Sequence, residues 1–146
     1  MNRDDVTAAY EIWQAHGRYA RALDKRNWSA LDTVFDRDVR ADYNEGEFEI
    51  HGRSALVGMI RSHLDGCGPT RHLLGALNVD VDDDVAQSRI HVHAAHRGLG
   101  DNAHLVYEVF GEYVAQWKRT SDGWRAIHWA LHVSLETATR EVLGAR

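Results

Sequence analysis

Tyr19, Asp24, Tyr43, His72 and His96 are the residues of this 146-residue chain whose types and settings suit proton transfer. Asp24 stands where a helical pattern ends. A helix C-terminus carries the negative end of the helix dipole, so an ionised carboxylate is disfavoured there and its pKa is expected to rise. Lys25 and Arg26 follow at once and would neutralise it as a surface charge; the other reading is a carboxylate kept for an imidazole partner. His72 shares a face with Leu74 and Ala76 at the start of a long strand, where a lone histidine is more often a satisfied core residue. His96 ends the apolar face of the next strand and carries the same alternative. A carboxylate beside an imidazole fixes the ring's tautomer and raises its basicity, making a general base for a C–H or O–H proton. Tyrosine hydroxyls in a mostly dry pocket polarise a carbonyl or donate to a departing oxygen. Such a set suits elimination or isomerisation beside a carbonyl, with no metal and no organic cofactor.

Positioning these groups falls to a few elements. Val6, Tyr10, Trp13, Gly17 and Ala20 recur at helical spacing and predict a helix over 5–24, with Asp4 or Asp5 as its N-cap. Trp28, Leu31, Val34 and Phe35 predict a short second helix ending near Asp36. Val39–Tyr43 and Glu47–Ile50 read as a hairpin turning through Asn44-Glu45-Gly46. Ser54–Leu64 reads as a third helix, which Gly66-Cys67-Gly68-Pro69 ends. From Thr70 onward the period becomes two, with strands at about 71–81, 85–97, 103–119 and 124–133. Ala86, Ser88, Ile90, Val92, Ala94 and His96 share the apolar face of one strand. Leu105, Tyr107, Val109, Tyr113, Ala115 and Trp117 share that of the next. Strands this long need twist and bulges, and Gly111 is a candidate bulge site. Leu135–Leu143 reads as a short terminal helix or tail.

Helices followed by a long antiparallel meander imply a single α+β domain over 1–146, with N-terminal helices packed on one face of a curved antiparallel sheet. Such a sheet, closed on one side, leaves a cone with an apolar internal pocket where a small molecule would sit. Trp13, Phe48, Leu74, His96 and Trp129 are the candidate pocket residues.

Composition narrows the partners. Acidic residues outnumber basic ones 22 to 17, a formal charge of −5, and no basic stripe appears, so nucleic acid is not an expected partner. No apolar run approaches a membrane span, and the first residues lack a signal peptide's apolar region. One cysteine, Cys67, suits a reducing cytoplasm, and its Gly66-Cys67-Gly68 setting reads as loop rather than catalytic thiol. His91 and His93 have a spacing that places both on one side of a strand, as a metal pair would be, but no third ligand follows at a telling interval. A solvated or subunit-contact face is preferred. Gly98-x-Gly100 has no following helix and is not a phosphate loop, and no nucleophile motif is present.

Tyr19-x4-Asp24-x3-Trp28, Ala41-Asp42-Tyr43, Gly52-Arg53, Thr70-Arg71-His72-x2-Gly75 and the Gly-Trp of the last hairpin together resemble the SnoaL-like group of the nuclear transport factor 2-like superfamily, a cystatin-like α+β barrel. Within it the chain is most similar to the branch of scytalone dehydratase, lindane dehydrochlorinase and bile-acid dehydratase. The resemblance spans nearly the whole chain. It implies that Asp24 pairs with His72, that His72 takes the proton, and that Tyr19 and Tyr43 donate hydrogen bonds. His96 falls near the position of a second scytalone dehydratase histidine. The chain departs from its relatives at Leu23, where scytalone dehydratase has a tyrosine, and at Tyr19, where the dehydrochlorinase has a lysine. It departs again at Trp129, where the dehydrochlorinase has an arginine, so dechlorination is not the expected reaction.

The expectation is a cofactor-free lyase of the dehydratase kind acting on a small hydrophobic cyclic ketone or polyphenol, assembled as a homo-oligomer, dimer or trimer. Isomerisation or cyclisation by the same dyad is the nearest variant. The rival from another class is a protein that binds a hydrophobic ligand, or dimerises, without catalysis.

Overall fold

Helix α1 (Arg3–Lys25) begins at Asn2, whose side chain accepts the Asp5 backbone N–H while the Asp5 carboxylate accepts that of Asn2. This capping box satisfies two N–H groups that the helix itself cannot, and it places the cap before Asp4 and Asp5. The buried stripe is Ala8, Ile12, Ala15, Tyr19 and Leu23, joined by His16, Ala22 and Ala20, the last a member of the expected stripe. The expected stripe was rotated from this one: Val6, Tyr10 and Trp13 are 55%, 62% and 42% exposed. The alanines on the buried side let the backbone lie close to the sheet, where larger side chains would hold it away.

The computed structural model describes residues 1–43 and 49–144; the expected turn at Asn44-Glu45-Gly46 and the candidate Phe48 lie outside the described residues. After α1, a 3₁₀ helix (Trp28–Thr33) leads into β1 (Phe35–Asp42), followed by β2 (Glu49–His51) and α2 (Arg53–Leu64). Four long strands complete the sheet: β3 (Thr70–Asp82), β4 (Val85–Arg97), β5 (Val106–Thr120) and β6 (Gly123–Ala138). Single 3₁₀ turns lie at Gly100–Asn102 and Arg140–Val142, the latter where a terminal helix or tail was expected.

The six strands run in the order β2-β1-β6-β5-β4-β3. Consecutive long strands pair antiparallel, as the meander requires, but β1 pairs with β6 in parallel, Ala41 opposite Trp129. The sheet is therefore mixed rather than antiparallel, and among the described residues β2 and β3 stand at its two edges, so it does not close into a barrel. Alternation along a strand reports which face is buried, not which distant strand lies alongside, so this pairing left no mark in the pattern.

Bulges bend the strands around the core. In β6, Ile127 and Ser134 are extra residues, one opposite the Gln116–Trp117 step and the other opposite Phe110–Gly111. Gly111 belongs there because a Cβ would stand 2.4 Å from the His132 carbonyl oxygen. In β3, Ala76 and Leu77 together oppose one β4 residue, and Ala76 adopts φ 54°. The shift turns Ala76 outward, whereas it had been expected on the face of His72. Between helices and sheet lies one core, with Ile12, Leu31, Leu56, Ile90, Trp117 and Trp129 fully buried. Each such aliphatic side chain stabilises by roughly 1.5–3 kcal/mol. No described helix is long and apolar enough to cross a membrane.

Candidate active site

Asp24 does occupy the last turn of α1, and the chain leaves the helix through Arg26 in the left-handed conformation. The Arg26 guanidinium then turns back, donating to the Leu23 carbonyl at 2.7 Å, the Gly68 carbonyl at 2.7 Å and Thr70 Oγ1 at 2.9 Å. It fills carbonyls that the helix end leaves open and pins that end to the start of β3. Thr70 passes the interaction on, its hydroxyl donating to Asp24 Oδ1 at 2.9 Å. His72, two residues along on the same face, donates its backbone N–H to Oδ2 at 3.0 Å and brings ring Nδ1 to 2.7 Å from Oδ1.

The carboxylate is thus an acceptor for three donors. Burial pushes the Asp24 carboxyl upward, but hydrogen bonds from the His72 ring, the His72 amide and Thr70 outweigh it and hold the group below the usual carboxylate range. The upward shift expected from the helix dipole is overturned, because short-range donors dominate a dipole that Arg26 already offsets. An ionised Asp24 accepts at Nδ1, so the proton of a neutral His72 sits there and Nε2 carries the lone pair.

His72 lines a cavity of about 180 Å³ together with Tyr19, Tyr43, His96 and Tyr113. Leu23, Ile60, Val92, Val109 and Leu131 supply apolar wall, and Leu143 comes from the C-terminal turn. Three tyrosine hydroxyls form a row, Tyr43 to Tyr19 at 3.2 Å and Tyr19 to Tyr113 at 2.8 Å. Trp129 Nε1 donates to Tyr43 Oη at 3.0 Å. Burial, with the neighbouring hydroxyls, raises Tyr19 and Tyr113 well above the usual tyrosine value; burial raises Tyr43 to about 12. All three remain O–H donors at any ordinary pH. His96 sets its ring 5.7 Å from that of His72 and hydrogen-bonds the Tyr107 carbonyl through Nδ1 at 3.0 Å. Burial lowers its pKa to about 4, so it is neutral there. Where the cavity reaches the C-terminal turn, Tyr107 donates to Glu136, which also pairs with Arg140 at 2.7 Å.

Of the residues singled out from sequence, Tyr19, Tyr43, His72 and His96 meet at this cavity, with Asp24 directly behind His72. Three others do not line it. Trp13, 42% exposed because the buried stripe is rotated, borders the groove between α1 and β3. Leu74 borders the same groove. Trp129 is wholly buried behind the tyrosines and acts on the cavity through Tyr43. Thr70, Arg26 and Tyr113 were not singled out as site residues. The signal for Tyr113 was available, a hydroxyl on the apolar face of β5 that needs a partner when buried. His93 is tied to Glu108 at 2.9 Å and stacks on Phe110 at 4.3 Å. Among the described residues no group of three or more His, Cys, Asp or Glu side chains is arranged to hold a metal ion. Cys67 is buried, its thiol raised by that burial and turned to the Arg97 carbonyl.

The SnoaL-like domain family matches residues 4–130. An uncharacterized protein of Mycobacterium tuberculosis, Rv2910c, is 32% identical over 124 residues, 84% of this chain and 83% of its own. A Novosphingobium aromaticivorans structure provisionally described as a scytalone dehydratase superposes with a TM-score of 0.86 at 20% identity, covering 95% of this chain and 92% of that one. The hexachlorocyclohexane dehydrochlorinase LinA-type3 from Novosphingobium barchaimii gives 0.80 at 14% identity, covering 93% and 92%. A nuclear transport factor 2-like superfamily protein from Salmonella enterica serovar Typhimurium gives 0.79 at 17% identity, covering 90% and 94%. At such identities the likeness is one of fold. The chain belongs to the SnoaL-like domain family and has the nuclear transport factor 2-like α+β fold.

Proposed function

We propose that this chain is a cofactor-independent lyase, a dehydratase in kind, acting on a small hydrophobic cyclic ketone or polyphenol. The observation that carries the reading is the 2.7 Å contact of Asp24 Oδ1 with His72 Nδ1, made by a histidine on the wall of a mostly apolar cavity. His72 Nε2 takes a proton from the carbon beside a carbonyl. The C–H electron pair moves toward the carbonyl oxygen, where tyrosine O–H donors stabilise the developing charge. As the electrons return, a C=C bond forms, the C–O bond to the β-hydroxyl breaks, and the imidazolium gives its proton to the departing oxygen, which leaves as water. Asp24 stays ionised throughout and stabilises the imidazolium between the two transfers. Returning the proton to a different carbon would make the same dyad an isomerase.

Size and kinship support the reading. An apolar cavity of roughly 150 Å³ holds benzene, so about 180 Å³ suits one substituted ring. Two of the similar folds belong to proteins described as a dehydratase and a dehydrochlorinase, both names of eliminations.

The test begins with thermal melting in the presence of small cyclic ketones, hydroxyketones and phenols, because a ligand of the folded state raises the melting temperature by mass action. Ligands that stabilise are then followed for loss of water. Stabilisation by a hydroxyketone with its slow conversion to the enone is expected. Stabilisation by many such compounds with turnover of none would leave a ligand-binding protein.

A further inference from the structure

We infer that Tyr113 is the catalytic donor to the substrate oxygen, and that Trp129, Tyr43 and Tyr19 form a directed relay that aims its hydroxyl hydrogen into the cavity. The inference deepens the elimination chemistry proposed above and rests on it for the identity of the oxygen.

Counting hydrogens carries the argument. The row of hydroxyls holds three O–H hydrogens and two internal hydrogen bonds, so one hydrogen is left over. It does not belong to Tyr19, which is 1% exposed and would then bury an O–H between two oxygens both donating to it. The spare hydrogen is therefore at one end of the row, on Tyr43 or on Tyr113. Indole Nε1 is a donor only, so at the Tyr43 end the direction is fixed: Trp129 gives and Tyr43 accepts. A hydroxyl that accepts becomes a better donor, which favours Tyr43 giving to Tyr19 and Tyr19 giving to Tyr113. In the opposite direction Tyr43 would accept from both Trp129 and Tyr19, and its own hydrogen would be the spare one facing the cavity; that arrangement breaks the continuous chain in which each acceptor passes its polarisation on. In the favoured direction the spare hydrogen is on Tyr113, 3% exposed, on the wall of the cavity that holds His72. A desolvated donor with no acceptor is destabilising, and a ligand oxygen relieves it. The ligand class follows: a ring bearing a carbonyl or phenolate oxygen, set so that His72 reaches the neighbouring carbon.

Binding of 4-nitrophenolate, measured by its absorbance at a pH above its own pKa, tests the assignment, with toluene as a probe of equal shape class that has no acceptor. Wild type should bind both. Tyr113→Phe should weaken the phenolate about tenfold or more and leave toluene unchanged. Tyr43→Phe and Trp129→Phe should weaken the phenolate by smaller factors, since each removes polarisation and not the donor. A larger loss in Tyr43→Phe than in Tyr113→Phe would overturn the direction of the relay. Failure of wild type to bind the phenolate at millimolar concentration would overturn the site. Should Tyr113→Phe not fold, Trp129→Phe decides: unchanged phenolate affinity with toluene retained rejects the relay. His72→Asn separates this inference from the reading beneath it. Full turnover in His72→Asn removes the dyad as base and leaves the Tyr113 difference standing, whereas loss of that difference beside an active dyad removes only the inference.

Discussion

His16, on the buried side of α1, and His72, on β3 beside that helix, are both buried histidines with different surroundings. His16 is 0% exposed, sealed between Trp117 and Trp129 at ring distances of 5.3 and 5.5 Å. Its Nε2 meets the Ser88 hydroxyl at 3.0 Å, and Ser88 also accepts from Trp117 Nε1 at 2.8 Å. Its Nδ1 has no hydrogen-bond partner among the described residues, and burial lowers its pKa to about 4. His72 is 8% exposed, almost as dry, but it faces a cavity and holds a carboxylate. What separates the two is the partner. A neutral hydroxyl gives an imidazole nothing with which to stabilise a proton, while an ionised carboxylate behind Nδ1 lets Nε2 accept one and return it. One histidine is packing; the other is the one we propose takes the proton.

Turnover should separate the two most widely. His72→Ala should lower it by at least about a hundredfold with the fold intact, and His16→Gln should leave it little changed. Equal losses would erase the distinction.

Acid stability should separate them next, in different pH windows. The folded-state pKa of His16 lies below its unfolded value, so the unfolded chain binds the proton first and stability falls as pH drops from about 6.5 toward about 4. The loss approaches about 3 kcal/mol, and His16→Gln should flatten it; His96, lowered in the same way, leaves part of the slope. Asp24 is depressed below its unfolded value, so its contribution is fully present above about pH 4 and disappears only below it. Urea unfolding at stepped pH should show Asp24→Asn less stable than wild type above about pH 4, with the gap closing only in that lower window.

Ser88→Ala should cost about 1–3 kcal/mol, since it strips a partner from both His16 and the Trp117 indole, without affecting ligand binding. The smallest effect is expected at Trp13, whose replacement by alanine should change stability by about 0.5 kcal/mol or less and leave cavity ligands bound as before. A loss of ligand affinity there would return Trp13 to the pocket.

How legible these features were in the sequence followed the kind of physics involved. Along β4, Ala86, Ser88, Ile90, Val92, Ala94 and His96 all turn inward as alternation demanded, because an unbulged central strand keeps strict parity. Along β3 the same rule succeeded at His72 and failed past Gly75, where the bulge at Ala76 resets the faces. Along α1, residue size misled: Val6, Tyr10 and Trp13 looked like a core stripe, while contact with a sheet favoured Ala8, Ala15 and Ala22. Asp24 and His72 could be named in advance as candidates because each ends or begins an element, and the resemblance to the SnoaL-like group implied that they pair. Arg26 and Thr70, which hold Asp24 in place, could not, since their role depends on two distant elements meeting. His16 was invisible for the same reason; its surroundings come from β4, β5 and β6.

The central claim is that His72, oriented by Asp24, removes a proton from carbon. Exchange of the α-protons of a bound cyclic ketone with deuterium oxide, followed by proton NMR, measures that step without requiring the natural substrate. Wild type should accelerate the exchange over buffer, and His72→Ala should lower it by about a hundredfold or more. Exchange at the wild-type rate in His72→Ala, at saturating ketone, would contradict the account.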